Sequence, residues 1–121
     1  MATILLVDDE FNIRLILRSI LSRDYTVVEA CNGADALLLF DCHHPDLIIT
    51  DLNMPFMSGL ELVYNIRASD SKVKIIATSA MFHRREESER LRNAGADVCL
   101  AKPVDIPLLR TTISELLMHQ L

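Results

Sequence analysis

Short apolar runs recur along the chain at Ile4–Val7, Thr26–Ala30, Leu47–Thr50, Ile75–Thr78 and Val98–Ala101. Each has the length and aliphatic content of a buried strand. Between them, apolar positions follow a helical period. From Phe11 to Ser22, Ile13, Ile16, Leu17, Ile20 and Leu21 fall on one face and Arg14 and Arg18 elsewhere, so that face is expected to pack on a sheet. A second helix is expected over about Ala34–Phe40. A third follows Gly59, with Leu60, Leu62, Val63 and Ile66 as its buried stripe. The last has a clear start signal: Asp105 as cap and Pro107 in the first turn, with Leu109, Ile113, Leu116 and Leu117 inward.

The segment Arg84–Arg92, "RREESERLR", breaks this pattern, because only Leu91 and then Ala94 offer apolar contact. Little burial stabilises it. Pairing of Arg85 with Glu89 and of Glu86 with Arg90 adds only some tenths of a kcal/mol each. The simplest expectation is a solvated surface helix, and one held by few contacts is suited to movement.

Strands alternating with helices favour a parallel sheet covered on both faces, since each right-handed crossover carries its own helix. The fold class expected is therefore α/β, a doubly wound five-stranded parallel sheet with five flanking helices. No Pro-, Gly- or Ser-rich tract, repeat or low-complexity segment divides the chain, so residues 1–121 are expected to form one domain.

Half of the 121 residues are apolar, enough for one core. A net charge of −5 argues against direct contact with nucleic acid, which requires a basic face. No apolar run approaches the roughly 20 residues of a membrane helix, and the start does not resemble a secretion signal. A soluble cytoplasmic protein is expected. Cys31, Cys42 and Cys99 form no paired framework, which fits a reducing compartment and suggests that each fills core space. "CHH" at Cys42–His44 lacks a second ligand pair for zinc and is expected to be a plain loop.

The chemistry gathers at strand ends. Asp8 and Asp9 follow the first strand directly and Asp51 the third, and in a parallel sheet these ends share the edge where open sheets bind ligands. Carboxylates so placed repel each other unless a cation compensates. The fourth strand ends near Ser79 and the fifth near Lys102, whose side chain is long enough to reach back over the edge. Magnesium suits the acids, being a hard cation that takes one or two carboxylates and leaves positions for water and phosphate oxygen. Together the groups allow phosphoryl transfer: a carboxylate attacks phosphorus, cations neutralise the transferred group and a hydroxyl bonds it. Singly, Asp8 and Asp9 could cap a helix, Ser79 could close a turn and Lys102 could be a solvated charge. Chance explains their joint placement poorly.

The motifs "LLVDDE", "IITDLNMPFMSGLEL", "IIATSA" and "AKP", in this order and at these intervals, span essentially the whole chain. They resemble the receiver domain of two-component response regulators. The resemblance implies flavodoxin-like strand order 2-1-3-4-5 and makes Asp51 the acceptor of a phosphoryl group from a phosphohistidine on a histidine kinase or phosphotransfer protein. It implies that Asp8, Asp9, Asp51 and the main-chain carbonyl of Asn53 hold magnesium, that Ser79 and Lys102 contact the phosphoryl group, and that the Lys102–Pro103 bond is cis. Pro55 and Gly59 would shape the turn after Asp51. The partner on the output side would be an output domain or effector protein. The residues do not decide whether phosphorylated copies pair through the charged fourth helix. Two positions depart from the family: Cys99 stands where an aromatic ring often rotates inward, and Val104 where Phe is frequent. Signalling by the fourth helix, fifth strand and fifth helix is then expected to run through backbone and helix shifts. Met81 offers no charge to position an attacking water, so slow self-dephosphorylation is expected. A flavin carrier would need a polar, anion-cradling loop where this chain has "DDE". A magnesium phosphatase with an aspartate nucleophile usually has an Asp-x-Asp pair and a cap domain, neither of which the chain accommodates.

Overall fold

The computed structural model describes residues 1–80 and 85–118. Five strands, β1 (Thr3–Val7), β2 (Thr26–Ala30), β3 (Leu47–Asp51), β4 (Lys74–Ser79) and β5 (Val98–Ala101), alternate with five helices. These are α1 (Phe11–Leu21), α2 (Gly33–His43), α3 (Gly59–Ser69), α4 (Arg85–Ala94) and α5 (Ile106–Met118). All pairings are parallel and the sheet order is β2-β1-β3-β4-β5, as the resemblance implies.

The central strands β1, β3 and β4 read as unbroken apolar runs because both of their faces are covered. Successive side chains alternate between two cores. Leu5, Val7, Ile48, Ile75 and Ala77 meet Ala36 and Phe40 of α2, Leu62, Val63 and Ile66 of α3, and Leu91 of α4. Ile4, Leu6, Leu47, Ile49 and Ile76 meet Leu17 and Leu21 of α1 and Leu109 and Ile113 of α5. Leu91 is the sole buried residue of α4, against four in α3. Full burial of such a side chain contributes about 1.5–3 kcal/mol, so α4 is the more weakly docked of the two.

The structure corrects several expectations. Ile16 is not on the packed face: it is 56% exposed, because the sheet covers only the narrower stripe of Leu17 and Leu21, with Ile13 and Ile20 half-buried. α2 is longer than Ala34–Phe40. Asn32 caps it by accepting the Asp35 amide at 2.8 Å, and it runs on to His44, which ends it in the left-handed conformation at φ 47°. Cys42 and His43 therefore lie on the helix rather than in a loop. Cys31 and Cys42 are exposed and fill no core space, whereas Cys99 is half-buried. The start proposed for the fourth helix, Arg84, lies outside the described residues. Asp105 caps α5 through the Leu108 amide at 3.0 Å, as expected.

Candidate functional site

Because the strands run in one sense, their C-terminal ends form a single edge, and the chain places its polar groups there. Asp51 is the last residue of β3 and Asp8 the first after β1; both are buried, whereas Asp9 is exposed. One carboxylate oxygen from each of Asp8, Asp9 and Asp51 lies within 4.8 Å of the other two, the only such group of metal-ligating side chains among the described residues. Asp8 is fixed on both oxygens: Oδ1 accepts the Glu10 amide at 2.9 Å and Oδ2 accepts Lys102 Nζ at 3.0 Å. Asp51 Oδ1 faces the Asn53 amide at 3.4 Å, and Oδ2 lies 3.3 Å from Lys102 Nζ.

Lys102 reaches these acids from the other side of β4. Its amide donates to the Ser79 carbonyl at 2.9 Å, which holds β5's exit against the end of β4, and its bond to Pro103 is cis. Ser79 is fully buried at that strand end. Asn53 is exposed in the loop after β3. This loop folds back closely: the Leu52 amide donates to the Thr78 carbonyl and the Gly59 amide to the Leu52 carbonyl, each at 2.8 Å. Gly59 is required there, since a Cβ would collide with the Asp51 carbonyl oxygen and lie 2.7 Å from Leu52 Cα.

Electrostatics follow from this packing. Burial raises the Asp51 pKa above the ordinary carboxylate value, Lys102 opposes that rise and Asp8 adds to it. For Lys102, burial is the largest single influence and acts downward. The hydrogen bond that its ammonium donates to Asp8 and the charges of Asp51 and Asp8 together outweigh it, and its pKa is raised. One ammonium thus serves two of the three clustered carboxylates, and the excess negative charge and oxygen-only donors fit a hard divalent cation.

Arg14 belongs to the site without a motif to announce it. Its guanidinium donates to the Asp8 carbonyl at 2.7 Å and lies 3.4 Å from Glu29, tying α1 and β2 to the acidic loop. The visible signal was only an arginine six residues beyond a strand-end aspartate. Met81 lies outside the described residues.

The response regulator receiver domain pattern matches residues 4–114. This chain belongs to that family. The receiver domain is 38% identical over 119 residues to the sensor protein EvgS of Escherichia coli K12, a match covering 98% of this chain but 10% of the sensor's length. It is 30% identical over 115 residues to sporulation initiation phosphotransferase F of Bacillus subtilis, covering 94% of this chain and 92% of that one. Among solved structures, a CheY-like receiver domain protein of Methanospirillum hungatei superposes with a TM-score of 0.93 at 30% identity, covering 99% of this chain and 96% of that one. The co-crystal structure of the Saccharomyces cerevisiae histidine phosphotransfer signaling protein Ypd1 and the receiver domain of its downstream response regulator Ssk1 contains a match with a TM-score of 0.92 at 26% identity, covering 98% and 90%.

Proposed function

We propose that this receiver domain takes a phosphoryl group from a phosphohistidine onto Asp51 and thereby switches the surface formed by α4, β5 and α5. The observation that carries this reading is the convergence of Asp8 Oδ2 and Asp51 Oδ2 on Lys102 Nζ, at 3.0 and 3.3 Å, within a cluster of three carboxylates. A carboxylate oxygen of Asp51 attacks phosphorus, the bond from phosphorus to the imidazole nitrogen breaks, and the electron pair leaves with the imidazole. Lys102 opposes the tendency of burial to protonate Asp51 and then faces the transferred oxygens. Ser79, at the end of the neighbouring strand, supplies a hydroxyl to the phosphoryl group. Asp8, Asp9, Asp51 and the Asn53 carbonyl would hold magnesium, which neutralises charge on the phosphoryl oxygens when bound.

The partner on the input side is a histidine kinase or phosphotransfer protein. An apolar groove of about 430 Å³ opens beside Lys102, between Ile13 and Ile16 of α1 and Pro103, Val104 and Ile106 beyond β5. Its continuity with the site and the exposure of Ile16 suit it to seat the histidine-bearing donor; the co-crystal structure of Ypd1 with a receiver domain supports a phosphotransfer protein as the kind of partner. On the output side, Cys99 of β5 lies under α4, its thiol 3.8 Å from the Ser88 carbonyl. A side chain this small cannot swing as a ring does, so the change passes to an output domain or effector through shifts of α4 itself. Self-dephosphorylation is slow, and the protein acts in the cytoplasm.

Incubation with a small phosphodonor and magnesium, followed by intact-mass measurement, tests the reading. Wild type is expected to gain one phosphoryl group and Asp51→Asn none. Equal gain by both proteins refutes the assignment.

A further inference from the structure

A cleft of about 230 Å³ separates α4 from the loop after β3, lined on one side by Glu87, Arg90 and Leu91 and on the other by Asn53 and Ser58. Glu87 Oε2 is shielded from solvent and accepts no hydrogen bond among the described residues. A buried carboxylate oxygen without a donor is unfavourable and rare in native structures. Across the cleft, Asn53 engages Asp51 through its main-chain amide, and among the described residues its side-chain amide, a two-proton donor, has no acceptor. Ser58 is already committed as the cap of α3, accepting the Glu61 amide at 3.2 Å. Glu87 and Asn53 therefore line one cleft, the first with an acceptor and the second with a donor, and no bond joins them.

The anchoring of α4 says which end can move to close that space. Its C-terminal end is fixed by buried Leu91 and by Arg67 of α3, whose Nε and Nη2 donate to the Gly95 carbonyl at 3.1 and 2.8 Å and whose Nη2 also bonds Asp97 at 3.1 Å. Glu87 lies in the first turn, a full turn before Leu91, where among the described residues Arg85 pairs only with exposed Glu89. On the other side, Asn53 follows Asp51 by two residues, and its amide faces the same carboxylate at a long 3.4 Å. Any new group on Asp51 alters what that amide meets, and the loop with the Asn53 side chain shifts in response.

We propose that Glu87 is a positioning residue that couples α4 to the phosphoryl site, its Oε2 accepting a hydrogen bond from the Asn53 side-chain amide when Asp51 carries a phosphoryl group. This deepens the phosphoacceptor reading and rests on it. Glu87 touches no reacting atom; it sets where the first turn of α4 lies.

The test is amide hydrogen exchange with and without magnesium and beryllium fluoride, a tetrahedral phosphoryl mimic. The proteins are wild type, Glu87→Leu, Glu87→Gln, Asn53→Ala and the Glu87→Leu/Asn53→Ala double variant. In wild type the mimic is expected to slow exchange in the first two turns of α4 by about tenfold, the scale of one hydrogen bond to a charged group. Glu87→Leu and Asn53→Ala should each lose that slowing, the double variant should lose no more than either, and Glu87→Gln, which keeps an acceptor oxygen, should retain it. Intact mass after treatment with a small phosphodonor should show Glu87→Leu taking up one phosphoryl group as wild type does. Undiminished slowing in Glu87→Leu, or additive losses in the double variant, overturns the coupling while phosphoryl uptake by wild type leaves the acceptor reading standing. No uptake by wild type overturns both.

Discussion

Replacing Lys102 by Met removes the one ammonium that faces Asp8 and Asp51, while keeping most of the side chain's volume. The two ion pairs, at 3.0 and 3.3 Å, are each worth about 5 kcal/mol of gross attraction at an effective dielectric constant near 20. Desolvation of all three groups cancels much of that attraction. What remains after the change is a pair of buried carboxylates with no cation, and breaking a buried pair in this way destabilises by about 3 kcal/mol or more. With a urea slope of about 2 kcal/mol/M for a domain of this size, the unfolding midpoint falls by about 1.5 M. The chain has no tryptophan, so far-ultraviolet circular dichroism in chelator is the appropriate assay. The loss depends on pH in a definite sense. Without Lys102 the raised Asp51 pKa rises further, and a raised carboxylate contributes stability that is lost as pH climbs through its folded value. The gap to wild type should therefore be small in acid and widen toward neutrality, and saturating magnesium should close part of it. A midpoint shift under about 0.5 M, or a gap independent of pH, refutes the idea that Lys102 compensates these acids.

Further expectations follow from single contacts. In chelator, Asp51→Asn should raise the unfolding midpoint at neutral pH, because burial holds the wild-type carboxyl above its ordinary value of 3.8, and the gain should vanish as pH falls toward that value; a gain of the same size in acid contradicts this. Gly59→Ala should lose about 2–3 kcal/mol in urea unfolding, since its Cβ meets the Asp51 and Leu52 backbone rather than a side chain that can swing away; unchanged stability would show that the loop relaxes freely. Alkylation at mildly alkaline pH should label exposed Cys31 and Cys42 quickly and Cys99 slowly, because burial pushes the Cys99 thiol up and nearby Arg92 only partly opposes it. Mass spectrometry showing three adducts forming at one rate would contradict that order.

The strands were legible because β1, β3 and β4 are buried on both faces, and unbroken Ile, Leu and Val runs such as "ILLV" and "LIIT" have few other readings at that length. Parallel alternation then places Asp8, Asp51, Ser79 and Lys102 at one edge, a matter of topology rather than of side-chain detail. Helix faces were less legible. Ile16 satisfies the apolar period of α1, yet the groove beside Lys102 leaves it exposed, and periodicity cannot distinguish a core face from an apolar surface. The ends of α2 depend on the capping of Asp35 by Asn32 and the left-handed His44, local geometry that an apolar count does not carry. Long-range polar contacts were out of reach altogether. That Arg14 bonds the Asp8 carbonyl, or that Glu87 shares a cleft with Asn53, follows from how helices settle on the sheet.

The central claim is that the acceptor is the carboxylate at the end of β3. An acyl phosphate is reduced by borohydride to an alcohol, so treatment of the phosphorylated protein with that reagent, followed by fragment mass sequencing, marks the residue that carried the group. A single reduced position, residue 51, is expected. A reduced side chain at Asp8, at Asp9 or at any other acid, with position 51 intact, would contradict it.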